Sequence, residues 1–252
     1  MRAEQYILRM RTNVTSKKEV IELIKKNVSE KRGSYICVSN VHMCMETFDN
    51  PDFKTIVNQA DLVIPDGRPL FWVQRLIGHK DASQIRGQDI TEEVCRLSDV
   101  GELTIGFYGG ADDTVLSKLG NNLKQKYPNI KIAYQFSPPF RPLNCSENKD
   151  VIKEINDSNV DVLFVGIGCP KQERWMAANR NNVNAVMLGV GAVFDFISGT
   201  KTHAPHWVQE IGLEWLYRLC CEPKRLWKRY LKQNPRFIWH VFCQVCLRKK
   251  YI

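Results

Sequence analysis

The stretch Ile64-Pro65-Asp66-Gly67-Arg68-Pro69-Leu70-Phe71-Trp72 places one carboxylate, Asp66, between a short apolar run and a turn rich in proline and glycine. The preceding residues 60–64 (ADLVI) have the composition of a buried strand, and Pro69 is well placed for the first turn of a helix. Asp66 is therefore predicted to lie at the carboxyl end of a strand, where open α/β sheets bind their ligands. Aspartate at such a turn is also a common helix cap, so both roles stay open at this point.

Similar apolar runs recur up to about residue 200 and are typical of strands. They cover residues 35–38, 62–64, 103–108, 130–134, 162–165 and 185–188. Helical patterns separate most of them, over residues 16–28, 89–98, 112–126 and 147–157. This alternation predicts an α/β fold: a Rossmann-like, mostly parallel sheet with helices on both faces.

The strand patterns stop after about residue 200. We expect residues 1–200 to form the α/β core, with a division into subdomains at about residue 100 as an alternative. Residues 201–252 are predicted to form a helical appendage that is basic and rich in aromatic residues. Its helices are expected to break near Glu222-Pro223 and Asn234-Pro235, because proline interrupts a helix.

The composition is that of an ordinary globular protein. No apolar run reaches the ~18 residues of a membrane span, and the apolar run near the N-terminus is too short for a signal peptide. A cytoplasmic protein is therefore expected. The nine cysteines are odd in number and form no regular framework, which predicts free thiols in a reducing compartment.

The formal charge of +9 is concentrated in the C-terminal part of the chain. Residues 207–252 carry ten basic and three acidic side chains, a net charge of +7, together with four of the six tryptophans. Aromatic rings and cations suit an anionic membrane surface, where each nearby cation adds ~1 kcal/mol. Nucleic acid is the competing partner for such a segment.

Three glycine-bearing turns follow predicted strands, at residues 108–112, 166–173 and 189–195. Glycine lets backbone N–H groups approach a phosphate closely, so a diphosphate ligand is one interpretation and tight strand-to-helix turns are the other. None of the turns is a complete G-x-G-x-x-G, and no Walker motif occurs.

Metal ligands are sparse in the sequence. No Asp-x-Asp pair occurs, and the cysteine pairs at 220–221 and 243–246 lack the spacing of a zinc site. We interpret His203 and His206 as loop residues. No metal and no cofactor are expected.

Several stretches together resemble the WecG/TagA/CpsF glycosyltransferases, also called glycosyltransferase family 26. They are residues 60–67 (ADLVIPDG), 86–89 (RGQD), 168–173 (GCPKQE), 189–195 (GVGAVFD), 212–219 (GLEWLYRL) and 222–225 (EPKR). In order and spacing they cover roughly residues 35–230, and GLEWLYRL together with PKQE is highly specific. By this resemblance the chain is identified as a member of the family.

The resemblance implies a metal-independent, inverting transfer from a UDP-sugar to a polyprenyl-diphosphate-linked saccharide, at the cytoplasmic face of a bacterial membrane. In the family the aspartate of the P-D-G turn is the proposed general base, which maps onto Asp66. A carboxylate there can accept the proton of the attacking hydroxyl. The reaction would be a step of cell-surface polysaccharide biosynthesis, such as that of an exopolysaccharide.

The resemblance also implies the residues that bind substrate. The family's C-terminal arginines, proposed to stabilise the leaving diphosphate, map onto Arg218 and Arg225, with Lys228 or Arg229 as a third candidate. The other mapped residues are Asn40, Ser39, Arg86, Gln172 and Gly191. Simple turn and helix-start hydrogen bonding is the alternative role for Asn40 and Gln172.

This chain departs from the family pattern at several positions. Residues 38–40 read VSN where familiar members have Thr-Pro-Asn, Gln84 stands where arginine is frequent, and His203 replaces another arginine. The donor sugar therefore stays open between N-acetylmannosamine and a related hexose or uronic acid.

The expected partners are a UDP-sugar, a lipid-diphosphate-linked acceptor and an anionic membrane that the appendage contacts, with no nucleic acid. A homo-oligomer stays open. The alternative functions are a Rossmann-type nucleotide-dependent oxidoreductase and a basic nucleic-acid-binding protein.

Overall fold

The computed structural model describes residues 3–251 of the chain. Its strands are β1 (Ala3–Ile7), β2 (Met10–Val14), β3 (Ser34–Ser39), β4 (Leu62–Pro65), β5 (Ile105–Gly109), β6 (Ile132–Phe136), β7 (Val162–Gly166) and β8 (Val186–Gly189). Its helices are α1 (Lys17–Ser29), α2 (Val41–Asp49), α3 (Pro51–Asn58), α4 (Arg68–Leu76), α5 (Gly87–Asp99), α6 (Asp113–Lys126), α7 (Cys145–Asp157), α8 (Lys171–Asn179), α9 (Val193–Ile197), α10 (His206–Glu210), α11 (Glu214–Cys221) and α12 (Pro223–Val245).

The predicted α/β fold is confirmed. Six strands form one sheet in the order β4-β3-β8-β7-β5-β6, with parallel pairing from β3 to β6. All six are strands that the apolar runs predict, and each of the four predicted helices is present. The strands β3, β4, β5, β7 and β8 are almost completely buried, because helices cover both faces of a parallel sheet, whereas the edge strand β6 exposes Ala133 and Gln135.

The chain divides into two compact units that alternate along the sequence. Within the described residues, unit 1 comprises residues 3–16, 38–86 and 203–251, and unit 2 comprises residues 17–37 and 87–202. The division into a core over 1–200 and an appendage over 201–252 stays a prediction.

Unit 2 carries most of the sheet and its covering helices. Its core contains the stacked rings of Phe107 and Phe164, with centroids 5.2 Å apart, and Phe194 lies edge-on to Phe107 at 5.4 Å. These rings come from β5, β7 and α9, so the predicted strands supply the core as expected.

Unit 1 begins with an antiparallel hairpin, β1–β2, that the sequence did not indicate. The strand β2 is polar, yet Arg11, Thr12 and Asn13 are buried in it. Asn13 Oδ1 accepts a 2.9 Å hydrogen bond from the Val63 N–H, and Gln74 Nε2 donates to Thr12 Oγ1 at 3.1 Å. Hydrogen bonds stabilise the buried side chains of Thr12 and Asn13 in place of apolar packing, so the strand lacks the usual alternating pattern.

Of the two helix breaks predicted in the C-terminal segment, the structure contains one. The break at Glu222-Pro223 is confirmed, because α12 begins there. The break at Asn234-Pro235 is wrong, since α12 runs through Pro235 to Val245. Proline inside a helix costs ~3 kcal/mol, and packing offsets that cost on both sides of it, because Tyr230 and Phe237 are buried. No helix within residues 3–251 is long and apolar enough to cross a membrane.

Candidate active site

The carboxyl ends of β3 and β4 are joined by hydrogen bonds at the point where the sequence predicted a site. The Asp66 N–H donates to Ser39 O at 2.9 Å, and Ser39 Oγ donates to Ile64 O at 2.7 Å. Ser39 is fully buried, and its hydroxyl binds the neighbouring strand end. A substrate contact for Ser39 stays a prediction.

Asn40 follows β3 directly and is the N-cap of α2, where its side chain accepts a hydrogen bond from the Met43 N–H at 3.2 Å. The structural role that the sequence left open is thus present. Asn40 also lines a cavity together with Asp66, so capping fixes its side chain at the edge of that cavity.

Asp66 is not the N-cap residue of α4, because that position falls on Gly67. Its backbone is fixed from two directions, by its own N–H on Ser39 and by Gln84 Nε2, which donates to Asp66 O at 2.7 Å. Sequence reasoning noted Gln84 only as a replacement for arginine. The structure shows that Gln84 positions the main chain of the candidate base.

The cavity that contains Asp66 lies within unit 1 and has a volume of about 560 Å³. This falls in the range of ~300–1,000 Å³ that is usual for small-molecule sites. Among its lining side chains are the carboxylates of Asp66 and Glu214 and the guanidinium groups of Arg68, Arg218 and Arg229. The excess of cations favours an anionic ligand.

Two of the predicted arginines reach this cavity from different helices. Arg218 lies on α11 and Arg229 on α12, where its guanidinium sits 5.6 Å from the centroid of the Tyr230 ring. Arg68 adds a third guanidinium from the first turn of α4, and its Nε is buried with no hydrogen-bond partner among residues 3–251. Guanidinium groups bind phosphate oxygens in a bidentate manner, so this donor set fits a diphosphate.

The other two predicted cations lie outside the lining of the cavity. Arg225 is exposed and pairs with Glu222 through Nε–Oε2 at 2.6 Å and Nη2–Oε1 at 2.8 Å. Lys228 is exposed, with Nζ 5.6 Å from the Trp227 ring centroid. Exposed ion pairs contribute little to stability. A role for either residue in binding diphosphate stays a prediction.

Arg86 does not line the cavity but binds a side chain that does. Its Nη1 donates to Gln209 Oε1 at 2.5 Å, and Gln209 Nε2 donates to Ala204 O at 2.6 Å. Gln209 itself lines the cavity. Arg86 therefore orients a lining side chain, while direct contact with substrate stays a prediction.

Gln172 and Gly191 belong to unit 2, where Gln172 lies in the first turn of α8, after β7, and Gly191 lies in the turn after β8. Gly191 has φ of +57°, and a Cβ placed there would lie 3.8 Å from Gln172 Oε1. Gln172 is buried, its Nε2 donates to Glu173 Oε1 at 2.7 Å, and its Oε1 has no hydrogen-bond partner within the described chain. The two predicted residues thus lie side by side, and the Gln172 Oε1 between them is an unsatisfied hydrogen-bond acceptor.

Glu173 is a buried carboxyl that the sequence did not single out. Burial raises the pKa of Glu173 to about 7, and the hydrogen bond from Gln172 acts in the opposite direction. The raised pKa follows from burial of the carboxyl, since desolvation disfavours its charged form.

The structure brings together further residues that sequence reasoning missed. His42 lines the cavity, and its Nδ1 lies 2.8 Å from Gln233 Oε1. Gln209 and Glu214 line the cavity from the segment that follows unit 2 in the chain. No local motif marks His42 or Gln209, and Glu214 belongs to the stretch 212–219 that carries the family resemblance. Their convergence depends on how α10–α12 pack in unit 1.

Within the part of the chain that the structure describes, no group of three His, Cys, Asp or Glu side chains could hold a metal ion. All nine cysteines, each of which is described, are free thiols. A metal-independent reaction stays a prediction.

Comparison with known proteins shows the family to which the chain is similar. The sequence profile of the glycosyl transferase WecG/TagA/CpsF family matches residues 5–251. The N-acetylglucosaminyldiphosphoundecaprenol N-acetyl-beta-D-mannosaminyltransferase of Bacillus subtilis (strain 168) is 31% identical over 221 residues, which cover 87% of this chain and 83% of that protein. The protein of the same description from Staphylococcus aureus (strain NCTC 8325 / PS 47) is 27% identical over 230 residues, covering 90% and 87%.

Proposed function

Because the chain belongs to the WecG/TagA/CpsF family of glycosyltransferases, we propose that it transfers a sugar from a UDP-sugar to a polyprenyl-diphosphate-linked saccharide. The transfer inverts the anomeric centre and needs no metal. The relatives' names, which state an N-acetylglucosaminyldiphosphoundecaprenol acceptor, support this acceptor class. Family membership favours this function over an oxidoreductase or a nucleic-acid-binding protein.

The observation that carries the proposal is the joint presence of Asp66, Arg218 and Arg229 in one cavity. Asp66 can accept a proton, and the two guanidinium groups can bind the charge of a diphosphate. A carboxylate base next to a cationic leaving-group site is what a single inverting displacement requires.

In the proposed reaction the acceptor hydroxyl attacks the anomeric carbon of the donor sugar. Asp66 accepts the hydroxyl proton as the new C–O bond forms, and the bond between the anomeric carbon and the diphosphate oxygen breaks. UDP leaves with the electron pair of that bond. One displacement inverts the anomeric centre, so the enzyme supplies no nucleophile.

The departing UDP gains negative charge in the transition state. Arg218 and Arg229 stabilise this charge from the cavity, in the role that a metal ion has in other glycosyltransferases. The resemblance adds Arg225 and Lys228 to the same group of cations. Gln172 and Gly191 are proposed to bind the donor, because a glycine turn lets backbone N–H groups approach phosphate.

The sugar donor is proposed to be UDP-N-acetylmannosamine or the UDP derivative of a related hexose or uronic acid. The relatives' names support N-acetylmannosamine. The departures at residues 38–40, Gln84 and His203 keep the related sugars open.

The C-terminal segment is proposed to lie on an anionic membrane at its cytoplasmic face. Several large side chains of this segment are exposed, among them Trp207 at 64%, Trp239 at 60% and Leu247 at 63%. Trp227 is also exposed and lies beside Lys228, and exposed tryptophan beside lysine is typical of membrane-surface binding. This placement would bring the enzyme to a lipid-linked acceptor.

The test is to incubate the protein with a panel of UDP-sugars and lipid-diphosphate acceptors and to read the product mass. We expect one hexosyl residue to be added, in the presence of EDTA, with release of UDP. Failure of every donor with every lipid-diphosphate acceptor would overturn the proposal. Activity that EDTA abolishes and magnesium restores would overturn its metal-independent part.

A further inference from the structure

The cavity that contains Asp66 has a large apolar lining in addition to its charged one. The apolar side chains come mainly from two helices, α4 with Trp72 and Leu76, and α12 with Ile238, Val241, Phe242 and Val245. The α12 residues recur at spacings of three, four and seven, so they share one face of that helix.

These side chains are apolar and yet exposed. The exposed fraction is 67% for Leu76, 67% for Ile238 and 47% for Phe242. Contiguous exposed apolar side chains within a concave site mark a binding surface. The active site alone does not explain them, because a nucleotide-sugar and a saccharide are polar.

We propose that this apolar part of the cavity binds the first isoprene units of the acceptor's polyprenyl chain. The inference rests on the proposed function and adds a subsite to it. A polyprenyl diphosphate carries an anionic diphosphate directly beside a long apolar chain. The cavity presents the same combination, the guanidinium group of Arg68 at the start of α4, which is distinct from the two arginines proposed to bind UDP, and an apolar face from α4 and α12.

The dimensions limit how much of the chain is bound. From Asn234 to Val245, α12 extends for ~16 Å at the helical rise of ~1.5 Å per residue. This length and the cavity volume of about 560 Å³ suit only the proximal part of a long polyprenyl chain. The rest of the lipid stays in the bilayer, so the protein itself recognises the isoprene units that lie closest to the reacting sugar.

Two exposed apolar side chains on α12 allow a matched pair of variants, one inside the cavity and one outside it. Ile238 lines the cavity and is 67% exposed, whereas Leu231 is 64% exposed on the same helix and does not line it. Ile238→Ser and Leu231→Ser remove similar apolar area from the outer surface. Only the first removes it from the proposed subsite.

The experiment compares two soluble N-acetylglucosaminyl diphosphates, one with a single isoprene unit and one with several, without membranes or detergent. The readout is the ratio of kcat/KM for the longer acceptor to kcat/KM for the shorter one. For the wild type we expect a ratio of about ten or more, because each buried methylene contributes ~0.8 kcal/mol. Ile238→Ser combined with Leu76→Ser should lower the ratio about tenfold, while Leu231→Ser keeps it.

The outcomes separate the two proposals. If the wild type transfers sugar to both acceptors with equal kcat/KM, the proposed function stands and the isoprene subsite is overturned. An equal fall of the ratio in Leu231→Ser would also overturn it, as would a change from dimer to monomer in Ile238→Ser, which would assign the groove to a second copy of the chain. If neither acceptor is a substrate under any donor, the proposed function itself is overturned. Circular dichroism and thermal melts confirm that each variant is folded.

Discussion

At the scale of single residues, the proposed role of Asp66 depends on the contacts that fix its backbone. Its N–H binds Ser39 and its carbonyl accepts from Gln84, so the main chain is fixed while the side chain lines the cavity. The sequence indicated Asp66 because a carboxylate at the end of a strand is conspicuous. It could not indicate Gln84, whose contact joins residues 18 positions apart.

We expect Asp66→Asn to lower kcat by ~10²–10⁴, because the amide keeps the shape of the side chain but cannot accept the proton. Binding of UDP, measured by calorimetry, should stay near the wild-type value. Asp150→Asn, an exposed change on α7, is the control. Wild-type turnover in Asp66→Asn would refute the role of general base.

Arg218→Ala should lower kcat by ~10²–10³, since it removes one donor from the site where negative charge develops. Arg218→Lys restores the charge without the bidentate geometry, so we expect partial recovery. Lys224→Ala serves as the control, because Lys224 is an exposed cation at the start of α12. Equal activity of Arg218→Ala and Lys224→Ala would show that Arg218 does not act on the diphosphate.

Titration of the Glu173 carboxyl should make the free energy of unfolding depend on pH. Burial raises its pKa from about 4.5 to about 7 in the folded state. The folded protein therefore binds the proton of the Glu173 carboxyl more tightly than the unfolded chain does. The resulting contribution to the free energy of unfolding is complete below pH ~4.5 and is lost as the pH rises through ~7. At ~1.4 kcal/mol per pKa unit, the loss is up to about 3 kcal/mol.

We expect Glu173→Gln to reduce the fall of the unfolding free energy between pH 5 and pH 8. Urea unfolding of wild type and variant at both pH values measures this as a double difference. Glu30→Gln, on an exposed carboxyl, controls for the general change of charge. Parallel pH profiles for wild type and Glu173→Gln would contradict the raised pKa.

At the scale of elements, sequence patterns predicted what depends on local apolar composition. The strands β3, β4, β5, β7 and β8 are buried and largely apolar, and helix caps and turns separate them. The hairpin β1–β2 and the passage of α12 through Pro235 could not be predicted, because hydrogen bonds and packing from distant segments stabilise them. The same holds for the cavity, whose lining comes from four separate stretches of unit 1.

The loop between α10 and α11 shows how closely the C-terminal segment packs in unit 1. Gly212 has φ of +75°, and a Cβ there would lie 2.5 Å from Trp72 Cη2. Trp72 lines the cavity, so this close contact helps to fix its shape. Only glycine satisfies both the backbone conformation and the contact.

Gly212→Ala should therefore destabilise the protein by backbone strain of ~1–2 kcal/mol and by overpacking of ~1–3 kcal/mol. Gly199→Ala isolates the first effect, because Gly199 has φ of +72° with no atom within 4 Å of an added Cβ. Chemical denaturation should show a larger loss for Gly212→Ala, together with lower kcat/KM. Equal losses in the two variants would mean that the Trp72 contact contributes nothing.

At the scale of the whole molecule, the C-terminal segment is part of a compact unit. Leu226, Tyr230 and Phe237 are buried, Gln233 binds His42, and Arg236 forms a bidentate pair with Asp49 at 2.6 and 2.8 Å. Deleting residues from Trp207 onward would expose the apolar surface that these side chains cover. Point changes at exposed positions therefore test its proposed membrane role better than truncation.

We expect Lys249→Glu combined with Lys250→Glu to weaken binding to anionic vesicles about 10²-fold or more, because each basic residue near the surface contributes ~1 kcal/mol. Both side chains are exposed at the end of the described chain. Lys149→Glu with Lys153→Glu, exposed on α7 of unit 2, changes the net charge by the same amount and is the matched control. Flotation of each variant with vesicles of graded anionic lipid content, at two salt concentrations, measures the effect. The wild type should lose binding as salt rises, because the attraction is screened over ~8–10 Å, and turnover on a short soluble acceptor should be similar in all three proteins. If the α7 variant loses as much vesicle binding as the C-terminal variant, net charge alone controls association and the C-terminal segment has no special role at the membrane.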